Sequence, residues 1–119
     1  MAGLLVWFAY FKGWILANFT NISPQDAHKL LSSPNKVVLI DVRSKQEFER
    51  DHIAGAKHIP MDAIETESIQ DGEIIVYSER GERSVKASRI LFRRDYQGVS
   101  NLKGGVVFWI RAGYEVTND

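Results

Sequence analysis

Two short, unbroken apolar runs limit what this chain can fold into. Val37-Val38-Leu39-Ile40 ends at Asp41, and Ile74-Ile75-Val76 ends at Tyr77. A strand with one wet face alternates apolar and polar residues. A run without alternation belongs to a strand buried on both faces, the habit of parallel sheets covered by helices. At 119 residues the chain is long enough for one such core. Fifteen basic residues balance fifteen acidic ones with no long run of either sign, which gives no reason to expect nucleic acid as a partner. The chain has no cysteine, so a disulfide framework and a thiolate metal site are both excluded.

The remaining segments fit helices and connections around those strands. Ser23-Pro24-Gln25-Asp26 reads as a helix start, with Ser23 as N-cap and Ala27, Leu30 and Leu31 as its apolar stripe. Ser44 starts a short polar helix through Asp51, with Phe48 facing inward. Ile53 to Pro60 forms a loop and a brief extended segment, Met61 to Ile64 one helical turn, and Gln70-Asp71-Gly72 a turn. Ser84 is placed to cap a helix to about Tyr96, with Ala87, Ile90 and Leu91 inward and Lys86, Arg89, Arg93 and Arg94 on a solvated face. Val99 to Leu102 reads as a strand, Gly104-Gly105 as a tight turn, and Val106 to Ile110 as the start of a last helix stopped at Gly113. Strands alternating with helices imply a three-layer α/β domain.

Residues 1–19 differ from the rest, with Lys12 their one charge. As a helix they would reach about 28 Å, close to the hydrocarbon thickness of a bilayer. Lys12 within the span costs roughly 3 kcal/mol on insertion scales. The segment is expected to anchor the domain to a membrane. Packing on the domain, or on a second copy as a homodimer, is the competing use. The chain therefore divides into 1–19 and a globular domain at 20–119, cytoplasmic whether anchored or free.

The stretch from Ser78 to Ser84 carries the candidate chemistry. A short loop from a strand end into a helix start gathers free backbone N–H groups at the positive end of a helix dipole, which is an anion cradle. Ser78 stands at the nucleophile position, and Arg83 closes the loop as a partner for loop carbonyls or an anion. Arg80 is at the apex. Glu79 and Glu82 put negative charge beside the cradle. Asp41 and Arg43, at the neighbouring strand end, read as a pair that holds the loop. His28, His52 and His58 do not have metal-ligand spacing, so neither metal nor cofactor is expected. A serine hydrolase is disfavoured because Ser78 lacks the G-x-S-x-G elbow.

Taken together these motifs resemble the rhodanese family of sulfurtransferases over about residues 20–119. Val38-Leu39-Ile40-Asp41-Val42-Arg43 with Glu47-Phe48 resembles the first signature. His52-Ile53-Ala54-Gly55-Ala56 with Ile59-Pro60 is similar to the second, with Asp51 and Ala54 in place of the usual glycine and proline. Ser78-Glu79-Arg80-Gly81-Glu82-Arg83-Ser84 resembles the active-site loop C-x-x-G-x-R-S. Leu102-Lys103-Gly104-Gly105 with Trp109 and Ala112-Gly113-Tyr114 resembles the closing motif. The resemblance implies a parallel sheet of about five strands and a loop over the strands' carboxyl ends. It also implies transfer of sulfur from a small anionic donor such as thiosulfate, or from a protein persulfide, to cyanide or a thiol. Ser78 departs from the pattern where the family has its nucleophilic cysteine, so the chain as written should be inactive. The otherwise intact loop favours an introduced Cys-to-Ser change; a naturally non-catalytic binding module is the alternative. Four residues lie between Ser78 and Arg83. The fold's phosphatase relatives have five, so the shorter loop favours sulfur over phosphate.

Overall fold

The computed structural model describes residues 19–119. The proposed anchor therefore lies, but for Phe19, outside the described residues. Five parallel strands form one sheet in the order β1-β5-β4-β2-β3: β1 Thr20–Ile22, β2 Val37–Asp41, β3 Lys57–His58, β4 Glu73–Tyr77 and β5 Val99–Leu102. The helices are α1 Pro24–Leu31, α2 Lys45–Arg50, α3 Glu82–Arg93 and α4 Gly105–Arg111. Among the described residues, no helix is long and apolar enough to cross a membrane.

The pleat of β4 shows why its run has no alternation. Ile74 and Val76 join a core layer with Ile40, Ala87, Leu91 and Val99, under α3. Ile75 and Tyr77 point the other way, into a layer with Ala27, Leu39, Leu102, Val106 and Trp109, under α1 and α4. Each face of the strand meets helices, so the strand is apolar on both. Phe19 packs against the α3 layer, with the Arg89 guanidinium 6.0 Å from its ring centre.

Several local expectations are corrected. The third helix begins at Glu82 rather than Ser84; its cap is Gly81, at φ 102°. It ends at Arg93, short of Tyr96. Arg94 does not sit on a solvated face: its Nη1 donates to the carbonyl of Ile64 at 2.7 Å. Met61 to Thr66 is a run of hydrogen-bonded turns that extends two residues past the single helical turn expected at Met61 to Ile64. Phe48 is half-buried and stacked between His52 and His58, with ring centres 3.9 and 4.7 Å away. Strand β1 was not legible as a strand, being three residues at the sheet edge.

Candidate functional site

All five strands run the same way, so Asp41, Tyr77 and Leu102 finish at one end of the sheet. The loop from Ser78 to Gly81 lies over that end, where open α/β sheets place their ligand sites. Ser78 is 1% exposed. Its Oγ accepts hydrogen bonds from the N–H of Gly81 at 3.1 Å and of Ser84 at 3.2 Å, and lies 3.0 Å from Ser84 Oγ. Ser84 Oγ donates to the Gly81 carbonyl at 3.1 Å. The proton order follows. With both lone pairs of Ser78 Oγ engaged by amides, its own proton goes to Ser84 Oγ, whose proton goes to Gly81. Ser84 is thus part of the loop's interior rather than the cap expected of it. Among the described residues, the N–H groups of Glu79, Arg80, Glu82 and Arg83 have no acceptor. These four residues, with Ser78, line a depression of about 400 Å³.

The loop's carbonyls are turned away from this depression by α4. The Val106 N–H donates to the carbonyl of Ser78 at 2.9 Å and the Val107 N–H to that of Glu79 at 3.1 Å. The first turn of α4 has no intrahelical partners for these donors, so the two elements satisfy each other. The approach is close enough to demand glycine at 105. A Cβ there would lie 2.4 Å from both loop carbonyl oxygens, at a φ of 64°.

Two charged networks brace the rim. Arg43 is 0% exposed; its Nη2 lies 2.9 Å from Asp41 Oδ2, and its Nη1 lies 3.0 Å from Glu79 Oε1 and 3.4 Å from Asp51 Oδ1. It also donates to the Asp51 carbonyl. Burial opposes its charge, but hydrogen bonding and attraction from Asp41, then Glu79, outweigh that and hold its pKa above the ordinary arginine range. Asp41 and Arg43 therefore pair and, through Glu79, reach the loop. Tyr77, beneath them, has its phenol pushed up by burial first and by Asp41 second, and its oxygen accepts from the Ile53 N–H at 3.0 Å.

Arg83 differs from expectation. Its Nη1 and Nη2 bond Glu47 Oε1 and Oε2 at 2.7 and 2.9 Å, so the guanidinium is tied to α2 rather than to loop carbonyls. The hydrogen bonds from Arg83, helped by those from Ser44 and opposed by burial, hold the Glu47 carboxyl down at about 2. The Arg83 guanidinium is correspondingly raised, first by Glu47. Beyond its place beside Phe48 in the first signature, Glu47 carried no expected contact with the loop; its further legible signal was the Ser44-x-x-Glu47 capping box, which the structure contains. Arg80 and Glu82 are exposed and, among the described residues, enter no ion pair. His28 stacks on Tyr114, away from the loop. Among the described residues, no cluster of histidine, cysteine, aspartate or glutamate could hold a metal.

Comparison with known proteins gives a consistent family. Residues 23–112 match the model of the rhodanese-like domain. A sulfurtransferase of Allochromatium vinosum is 30% identical over 98 residues, covering 80% of this chain and 92% of that protein. The probable adenylyltransferase/sulfurtransferase MoeZ of Mycobacterium tuberculosis is 32% identical over 100 residues, covering 80% of this chain but 26% of that longer protein. The crystal structure of a rhodanese-related protein from Thermoplasma volcanium superposes with a TM-score of 0.76 at 23% identity, covering 85% of this chain and all of that one.

Proposed function

Because the chain belongs to the rhodanese-like domain family, we propose that its Ser78 loop is a sulfur-transfer site in which serine stands at the position of the nucleophilic thiolate. The observation that carries this reading is the convergence on Ser78 Oγ of the Gly81 N–H at 3.1 Å and the Ser84 N–H at 3.2 Å. Two amide donors on one buried atom, at the start of a 12-residue helix, favour negative charge there. A serine hydroxyl keeps its proton at neutral pH and forms no persulfide, so the chain as written turns nothing over.

With cysteine at 78 the same donors depress the thiol pKa. The thiolate attacks the outer sulfur of thiosulfate, the S–S bond of the donor breaks, and sulfite leaves with its electron pair. The enzyme then carries a persulfide. Cyanide attacks the outer sulfur, the persulfide S–S bond breaks, and thiocyanate leaves while the thiolate is restored. A protein persulfide as donor or a thiol as acceptor follows the same electron count. The Glu79, Arg80, Glu82 and Arg83 amides are suited to the anionic oxygens of the donor, Gly81 to the turn, and Asp41 and Arg43 to keeping Glu79 off the cradle.

A second reading is a non-catalytic binding module. It is favoured by the completeness of the Ser78–Ser84–Gly81 hydrogen-bond chain, which leaves no unmet need for a thiolate. Restoring the nucleophile separates the two. The Ser78→Cys protein should convert thiosulfate and cyanide to thiocyanate while the unchanged chain does not. A folded Ser78→Cys protein that makes no thiocyanate leaves the binding module. The division into an apolar segment at 1–19 and a domain at 20–119, with the segment as anchor or dimer contact, belongs to this same proposal.

A further inference from the structure

Beside the cradle lies a second groove of about 420 Å³, running between the exposed face of α3 and the end of β5. Its lining includes Arg80, Glu82, Lys86, Arg89, Asn101 and Lys103. Arg80 and Glu82 line the cradle as well, so the two depressions share a rim. The four basic side chains are exposed, and among the described residues none of them enters an ion pair. They face one carboxylate, in a chain whose total charge is zero. The sequence alone assigns this face to solvent; its junction with the cradle gives it a use.

We infer that this groove docks an acidic polypeptide segment, the part of a partner protein that precedes the group delivered to the cradle. The inference deepens the sulfur-transfer reading by naming its partner class. Three observations favour a polypeptide. Position 78 is 1% exposed, so what reaches it must be slender, and an extended chain end is. Asn101, 3% exposed in the groove floor, donates from Nδ2 to Asn21 while its Oδ1 has no donor among the described residues. A peptide backbone brings N–H donors, whereas a phosphodiester or phospholipid surface brings acceptors. Glu82 interrupts the basic track at the shared rim, where a polypeptide can place an uncharged residue and a continuous polyanion cannot.

The test is titration of the full-length Ser78 chain with a short fluorescein-labelled peptide of alternating glutamate and glycine. Binding should weaken as salt is raised and should fall about tenfold in the Lys86→Glu, Arg89→Glu double variant. The Lys86→Glu, Lys103→Glu pair should do the same without touching the Arg89–Phe19 contact. Lys45→Glu, on α2 across the loop, should change nothing. Circular dichroism confirms folding of each. Equal binding by the reversed-charge proteins, or tighter binding of oligothymidylate than of the peptide, overturns the inference. Loss of the transferase reading is registered separately, by absence of thiocyanate from the Ser78→Cys protein, because the titration uses no chemistry at position 78.

Discussion

At the scale of single residues, Glu47 does two jobs that substitution can separate. Its carboxylate completes the capping box at Ser44 and binds the Arg83 guanidinium on both oxygens. Glutamine keeps the box and removes the charge. Because the Glu47 pKa is lowered on folding, to about 2 from 4.5, its contribution is present above the unfolded value and is lost as pH falls through the folded one. Arg83 is 40% exposed, so solvent screens the pair and limits the effect to about 1 kcal/mol. Urea unfolding should therefore show Glu47→Gln less stable than the parent at neutral pH by about that amount. The two proteins should converge between pH 4.5 and 2. A difference that persists unchanged at the acid end would mean that the ion pair is not its source. The pair was not legible in advance. Its members are 36 residues apart, and a free arginine at the end of an anion loop reads naturally as an anion ligand until a carboxylate on another helix claims it.

At the scale of elements, α4 is the scaffold of the loop. Its first-turn amides hold the Ser78 and Glu79 carbonyls, which leaves the loop's own amides to face the cradle. Gly105→Ala puts a methyl group 2.4 Å from both of those oxygens, backbone atoms with no rotamer to escape into, at a left-handed φ. The expected cost is at least about 2 kcal/mol in denaturant unfolding, with faster amide hydrogen exchange at Val106 and Val107. An unchanged exchange rate at those two amides would show that the loop does not depend on this contact. The Gly104-Gly105 turn was visible in the sequence, but its purpose was not, because a turn residue carries no mark of what passes within van der Waals distance of it. The start of α3 was misplaced for a related reason. Ser84 has the chemistry of a cap, but its hydroxyl is drawn into the Ser78 network, and Gly81 supplies the left-handed entry instead.

At the scale of the whole molecule, the sheet was the most legible feature. Unbroken apolar runs have one economical explanation, burial on both faces, and β4 satisfies it by sending alternate side chains into two separate core layers. The weak signals were the edges. Strands β1 and β3, of three and two residues, carry too few side chains to show a period. The loop's place over the carboxyl ends of the strands follows from parallel topology alone. What topology could not supply is the convergence of two amide donors on one side-chain atom, since that depends on glycine geometry at Gly81 and on the first turn of the helix that follows.

That convergence is the centre of the functional proposal, and mass spectrometry of the intact protein tests it most directly. The Ser78→Cys protein, incubated with thiosulfate and freed of excess donor, should gain the mass of one sulfur atom, lose it on addition of cyanide, and gain nothing when Ser78 is retained. A folded Ser78→Cys protein whose mass does not change would contradict the assignment of this loop to sulfur transfer.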